Sequence, residues 1–116
     1  MKNFSLTGFW KFKSNRIRLE DGSWLNEKIF GGTLAFSETN EACLFVRTDQ
    51  GSWGYSGKYR LSGDTVQIKV EASIADDIEG TFIERNIHFI TSDELILSGI
   101  ESHTGRAFEA NCVRVG

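Results

Sequence analysis

The chain has 116 residues, a formal net charge of −3 and an isoelectric point near 5.4. A chain of this length predicts one domain, 1–116, with a single hydrophobic core. Its mild acidity and its lack of basic runs argue against nucleic acid or an anionic membrane as a partner. No apolar run approaches the roughly 18 residues of a membrane span, and the N-terminus lacks the long apolar segment of a signal peptide, so we expect a cytoplasmic protein.

Composition and cysteine placement indicate an all-β protein with reduced thiols. The chain has no proline and 12 glycines, and it is rich in Val, Ile, Thr and aromatic residues, as β-sheet proteins are. Cys43 and Cys112 both fall in apolar segments, which favours two buried free thiols. A disulfide between them stays open, because neighbouring strands can bring distant cysteines together.

The first strand is expected over residues 6–19. Its apolar positions change parity between Phe12 and Ile17, and one extra residue in the strand would reconcile the two halves. We therefore predict a β-bulge near residues 14–15.

The next stretch contains one ambiguous segment and one hairpin. Residues 24–30 are either an edge strand or a flap over one end of the sheet, and Gly31-Gly32 is expected to break this segment. Residues 33–37 and 43–48 then form a hairpin around a polar turn.

The clearest alternation of the chain lies between residues 55 and 74. Strand 55–61 leads through a tight turn at 62–64 into strand 65–74. The second strand is expected to be half-buried, with an inward face composed of Val66, Ile68, Val70, Ala72 and Ile74.

Three further strands are predicted, at residues 81–90, 95–102 and 106–115. The total is eight strands, or nine if the segment 24–30 is one. Turn signals separate them and no segment has a helical period, which favours a meander in which each strand pairs with the next. Eight antiparallel strands twist enough to close into an up-and-down barrel, with room inside for side chains or one small ligand. A two-sheet sandwich is the alternative.

Arg85 is the unusual residue of this pattern. It has inward parity between Ile83 and Ile87, and a guanidinium cannot lose its charge by deprotonation. It is therefore paired with a carboxylate such as Glu71 or Glu101, faces solvent, or anchors an anion or a carbonyl in a cavity.

The Gly8-Phe9-Trp10 motif stands at the start of the first strand, and Arg114 stands near the end of the last. An ordered set of residues starts in the central stretch of the chain, namely Tyr55, Gly57, Tyr59, Val70, Glu71, Ser73, Gly80, Arg85, Asp93, Glu94 and Leu95. In these residues the chain resembles a bacterial lipocalin-like domain of the calycin superfamily. The resemblance implies a closed barrel in which Arg114 stacks on Trp10 and closes the bottom.

Few other residues suggest chemistry. Trp24 and Trp53 are expected at the ends of the barrel, where they could line the entrance to its interior. His88 and His103 have no second ligand at metal-binding spacing, and the acidic loop with Asp76, Asp77 and Glu79 lacks the periodicity of a calcium loop. No serine or cysteine has the context of a nucleophile. We expect no metal and no cofactor.

Three functional hypotheses follow. The leading one is binding of a small hydrophobic molecule inside the barrel, where Tyr59 and Arg85 orient a polar group and Tyr55 offers a further hydroxyl. Its walls would be formed by Phe36, Val70, Ile87, Leu97 and Phe108. The second is a cyclase or isomerase acting on a natural-product intermediate, as in similar bacterial barrels. The third is a protein-interaction or inhibitor barrel with a filled core. The sequence does not decide between a monomer and a homodimer.

Overall fold

The computed structural model describes residues 4–74, 78–101 and 104–116. Within these ranges the chain forms nine β-strands and no α-helix. Asp76, Asp77 and His103, which were considered above, lie outside the described residues. The strands are β1 (Gly8–Arg18), β2 (Trp24–Glu27), β3 (Ile29–Phe36), β4 (Glu41–Thr48), β5 (Gly51–Ser62), β6 (Thr65–Ser73), β7 (Phe82–Thr91), β8 (Glu94–Ile100) and β9 (Ala107–Arg114).

The strands form one antiparallel sheet that closes on itself. Their order is β2-β1-β3-β4-β5-β6-β7-β8-β9, and β1 also pairs with β9. Eight strands therefore make a closed barrel, and β2 is an additional strand at its rim. The predicted all-β, up-and-down barrel is confirmed, and the sandwich alternative is wrong because the pairing of β1 with β9 leaves one closed sheet rather than two.

The ambiguous segment after the first strand is resolved into β2 and the beginning of β3. β2 pairs with the second half of β1, where Arg18 lies opposite Trp24, and β3 pairs with the first half of β1. The edge-strand alternative is therefore correct. Gly31 and Gly32 do not break a strand as expected, because both pair with β4 beside a register shift that follows Ile29.

The described strands shift register at four places, after Phe12, Ile29, Ser56 and Phe89. The shifts after Phe12 and Ser56 decide which side chains face the core, and only the first of these two was foreseen. The bulge predicted in the first strand is confirmed by a register shift between Phe12 and Ser14. The second bulge lies in β6, where Ser56 and Gly57 of β5 pair with Ala72 and Val70, so that Glu71 has no residue opposite it in β5.

The extra residue in β6 reverses the direction of the side chains that follow it. Val66, Ile68 and Val70 face the core as predicted, but Ala72 is exposed and Ile74 is 59% exposed. The expected inward placement of these last two residues is wrong for that reason. Gly57 is required opposite the bulge, because a Cβ atom there would lie 1.9 Å from the carbonyl oxygen of Lys69.

One end of the barrel is sealed by side chains from the chain termini. Trp10 is fully buried, and its indole Nε1 donates a hydrogen bond of 2.9 Å to the carbonyl oxygen of Leu6. The Arg114 guanidinium lies over the Trp10 ring at 4.2 Å from the centroid. It donates hydrogen bonds to the carbonyl oxygens of Thr7 (2.8 Å), Ser92 (3.0 Å) and Ser5. We call this the sealed end.

The two cysteines are free and lie in different environments. Cys112 is buried, as expected, whereas Cys43 is exposed because it points away from the core on β4. Burial raises the pKa of the Cys112 thiol to about 12. The expectation of two buried thiols therefore holds for one of them only.

Candidate functional site

A small cavity of about 90 Å³ opens at the end of the barrel opposite the sealed end. We call this region the open end. It is formed where β1, β4, β6 and β8 finish and β5, β7 and β9 begin, so it gathers side chains that are distant in sequence. The polar lining consists of Asn15, Ser52, Tyr55, Ser73, Arg85 and Glu101, and the larger apolar lining residues are Phe12, Leu44, Val46, Trp53, Ile74, Ile78 and Phe108.

Arg85 faces the interior, as its parity predicts, and is only 7% exposed. Its side chain lies beside Gly99 of β8, where a Cβ atom would come within 3.0 Å of the arginine Cδ. The guanidinium carbon is 5.1 Å from the centroid of the Phe108 ring, a cation–π contact. Glycine on one side and a flat ring on the other therefore make room for a charged side chain inside the barrel.

The hydrogen bonds of Arg85 are incomplete. Nη1 donates a bond of 2.8 Å to the carbonyl oxygen of Glu84, whereas the buried Nε–H has no acceptor among the described residues. Neither Glu71 nor Glu101, the carboxylates considered as partners, forms an ion pair with it. A buried donor without an acceptor costs roughly 1–3 kcal/mol, and more when the group is charged.

Tyr55 supplies a second buried donor at the same cavity. Its hydroxyl is buried and forms no well-aligned hydrogen bond with a described residue. Burial raises the pKa of Tyr55 above its ordinary value of 10.0, while the charge of Arg85 and the polar contact of the hydroxyl with the Arg85 side chain offset part of that shift. The phenol therefore keeps its proton at neutral pH and can donate it to an acceptor in the cavity.

Glu101 places a carboxyl group on the cavity wall and is 9% exposed. The Thr104 hydroxyl donates a hydrogen bond of 2.7 Å to its Oε1. Burial raises the pKa of Glu101, while the bond from Thr104 and the charges of Arg106 and Arg85 offset part of the shift.

A second buried carboxyl group fastens β2 across the rim. Glu27 is 6% exposed and accepts hydrogen bonds from the amide of Asn15 and, at 3.2 Å, from the hydroxyl of Thr48. Burial and the neighbouring Glu101 raise the pKa of Glu27. These contacts connect β2 with β1 and β4, so Glu27 holds the rim of the open end in place.

The structure brings together only part of the residue set expected from the sequence. Arg85, Tyr55 and Phe108 line the cavity, and Trp53 lies on its rim. Tyr59 does not reach it, because its hydroxyl donates a bond of 3.0 Å to the carbonyl oxygen of Ser37 at the sealed end. The other expected wall residues are packed into the core without lining the cavity, namely Phe36, Val70, Ile87 and Leu97. Trp24 lies at the rim, where Arg16 stacks on its ring at 4.2 Å.

Sequence reasoning missed the polar residues that complete the open end. Asn15 lies in the predicted bulge, and Glu27 lies in a segment whose alternation could not be assigned. Glu101 was considered only as a partner for Arg85. A carboxylate with the same parity as Leu95 and Leu97 in the strand predicted over 95–102 was the one available signal for it.

Two known proteins are similar to this chain over much of its length. No family model matches the chain. A UPF0231 protein of Yersinia enterocolitica is 31% identical over 81 residues, which are 69% of this chain and 67% of that protein. The chain belongs to the UPF0231 family. A second UPF0231 protein, from Klebsiella pneumoniae, is 26% identical over 97 residues, or 83% of this chain and 80% of the relative.

Solved structures agree with the barrel fold. An uncharacterized protein from Bacteroides eggerthii superposes with a TM-score of 0.57 at 12% identity, covering 96% of this chain and 100% of that one. A de novo designed fluorescence-activating β-barrel also gives 0.57, at 18% identity and with 95% and 94% coverage. At these identities the likeness extends to the fold of this UPF0231 chain and no further. Among the described residues, no helix is long and apolar enough to span a bilayer.

Proposed function

We propose that the open end binds a small, largely apolar molecule that carries a carboxylate or carbonyl group. Arg85 and Tyr55 donate hydrogen bonds to this group, and Phe108 packs against the apolar part. The observation that carries the proposal is the pair of buried donors beside one apolar cavity, Arg85 Nε and the Tyr55 hydroxyl, neither of which forms a well-aligned hydrogen bond with a described residue. A ligand oxygen that moves neighbouring side chains aside and lies between the two groups would satisfy both donors.

The cavity volume limits the size of the bound group. Pockets for drug-sized ligands span roughly 300–1,000 Å³, whereas this one measures about 90 Å³. The site accommodates a short acyl chain or a single ring. A larger ligand would extend over the rim, where Trp53 and Ile78 are half-buried and Ile74 is 59% exposed.

The resemblance to lipocalin-like barrels supports the same interpretation. The Gly8-Phe9-Trp10 motif and Arg114 lie together at the sealed end, as the resemblance implies, so a ligand would enter through the opposite end. The polar role first assigned to Tyr59 passes to Tyr55, because Tyr55 lines the cavity and its buried hydroxyl lies beside Arg85.

A titration with small carboxylates tests the proposal. Sodium benzoate and sodium hexanoate are added to ¹⁵N-labelled protein, with benzyl alcohol as the uncharged comparison, and amide shifts are followed by NMR. We expect both carboxylates to shift amides around Trp53, Tyr55 and Arg85, and Arg85→Met to weaken binding by about 10-fold or more. Arg60→Met, which removes an exposed arginine bonded to Gln67 on the outer surface, is the matched control and should bind normally.

Two outcomes would overturn the proposal. One is the absence of shifts at the open end with either carboxylate, which would favour an interaction barrel with a filled core. The other is unchanged benzoate affinity in Arg85→Met, which would show that the guanidinium does not contact the ligand.

A further inference from the structure

The cavity holds a carboxyl group as well as two donors. Glu101 lines the same wall as Arg85 and Tyr55, and its described hydrogen bond, from Thr104, goes to Oε1. No ion pair joins this carboxyl group to Arg85. A potential base and two residues with incompletely bonded donors therefore line one small apolar space, and binding alone requires only the donors.

We propose that Glu101 is the acid–base residue of a proton transfer on a short 2-oxo acid that Arg85 and Tyr55 hold in the cavity. This inference rests on the proposed binding function, and it assigns a reaction to that site. Arg85 binds the carboxylate of the oxo acid, and Tyr55 donates a hydrogen bond to its keto oxygen. Glu101 removes a proton from the carbon next to the keto group and returns one to it.

The reaction balances without a cofactor. The Glu101 carboxylate removes a proton from the carbon next to the keto group, and the electron pair of the broken C–H bond forms a C=C bond. The carbonyl π electrons move to oxygen, where the resulting enolate is stabilised by the Tyr55 hydroxyl and the Arg85 charge. Glu101 then returns a proton to the carbon and is regenerated as a carboxylate.

Three features of the open end suit this chemistry. Arg85 is 7% exposed and its Nε–H is already free of acceptors among the described residues, so the donor need not break another bond to meet an oxyanion. Tyr55 keeps its phenolic proton because burial raises its pKa. Burial also raises the pKa of Glu101, which makes its carboxylate a stronger base than one in water.

The charged neighbours of Glu101 determine its pH response. Thr104 donates to it, Arg106 and Arg85 favour its ionised form, and Glu27 across the rim interacts with it by charge repulsion. The rate should therefore fall as the pH drops through the raised pKa of Glu101. Glu27→Gln, which removes the facing negative charge, should move this midpoint to lower pH.

Hydrogen–deuterium exchange at C3 of 2-oxobutanoate tests the assignment. The wild-type protein should accelerate the loss of the C3 proton signal in D₂O, and Glu101→Gln should reduce the acceleration by about 100-fold. A benzoate titration of the same variant checks that the cavity still forms, because Gln removes neither of the two donors. Glu109→Gln, on the outer surface, is the matched control and should exchange like the wild type.

The outcomes separate the reaction from the binding function. Benzoate binding combined with exchange at the buffer rate would overturn the catalytic assignment and leave the binding site intact. Absence of benzoate binding to the wild-type protein would overturn both the catalytic assignment and the proposed binding site. If Glu101→Gln does not fold, Glu101→Asp retains an acid at a shorter reach. It should keep a pH-dependent exchange at a reduced rate, and an unchanged rate with no pH midpoint would contradict the assignment.

Discussion

The two ends of the barrel each carry an arginine on an aromatic ring, but the two arginines differ in their hydrogen bonding. Arg114 at the sealed end covers Trp10 and donates to the carbonyl oxygens of three residues, with Asp93 at 3.2 Å from its Nε. Arg85 at the open end faces Phe108 and donates to one carbonyl oxygen, while its buried Nε has no acceptor among the described residues. A fully bonded arginine stabilises the fold, whereas an incompletely bonded one is available to a ligand.

The largest effect is expected from the aromatic residue of the sealed end. Trp10→Ala would leave a cavity in the core and remove the surface on which Arg114 lies, so the free energy of unfolding should fall by roughly 3–5 kcal/mol. Trp53→Ala at the open end is the matched change and should cost roughly half as much, about 1.5–2.5 kcal/mol, because its side chain packs against the core but is only partly buried. Urea denaturation measures both. Equal losses would show that the two ends do not differ in stability.

The arginine pair gives the next largest difference. Arg114→Met removes donors from the carbonyl oxygens of Thr7 and Ser92 and should destabilise the fold by about 2–3 kcal/mol. Arg85→Met replaces a buried, incompletely bonded charge by an apolar chain and should change stability by less than about 1 kcal/mol, or increase it. The same denaturation experiment tests both variants, and strong destabilisation by Arg85→Met would mean that Arg85 is a structural residue.

The carboxyl groups of the open end make stability depend on pH. Burial raises the pKa of Glu27 and Glu101 above the ordinary value of 4.5, so the folded state holds more protons than the unfolded state in the interval above that value. The contribution of these groups to stability should therefore be fully present below pH 4.5 and decline as the pH rises through their raised pKa values.

Glu27→Gln checks this sign. It keeps an oxygen for Asn15 and Thr48 but removes the ionisable group, so the decline with rising pH should become shallower. Denaturation curves measured at a series of pH values give the result. A steeper decline in the variant would contradict the assignment of a raised pKa to Glu27.

The smallest perturbation is chemical labelling of the two thiols. Cys43 is exposed and should react with a maleimide at the rate of a free thiol, whereas Cys112 is buried with a pKa of about 12 and should react only when the barrel opens. In Cys43→Ser, the labelling rate then reports opening near the sealed end. Rapid labelling of Cys112 would show that this end is less tightly packed than its contacts indicate.

The barrel could be predicted because the signal for it, an alternation of apolar and polar residues, is present within each strand and recurs from strand to strand. Each strand of a half-buried sheet alternates along the chain, and the phase change between Phe12 and Ile17 revealed the first bulge. The second bulge was not predictable, because Glu71 has the same polarity as its outward neighbours and the extra residue becomes visible only from the pairing of β5 with β6.

The site was predicted only in part, because it depends on which end of the barrel a residue reaches. Tyr55 and Tyr59 are the same residue type and have the same parity in β5. In the structure the Tyr59 hydroxyl donates a hydrogen bond to Ser37 at the sealed end, whereas Tyr55 lines the cavity at the open end. Glu27 and Glu101 belong to distant segments that only closure of the sheet brings to one rim. Parity identified Arg85 as an inward residue, but the residues that surround it could be identified only from the three-dimensional structure.

The side-chain NMR signal of Arg85 gives the sharpest test of the difference between the two arginines. A ¹⁵N–¹H correlation spectrum of the arginine Nε–H groups is recorded during a benzoate titration, and the Arg85 signal is assigned by its loss in Arg85→Met. We expect benzoate to move the Arg85 Nε–H signal and to leave the Arg114 signal in place. An Arg85 signal that stays fixed while benzoate shifts other residues would show that the guanidinium does not hold the ligand.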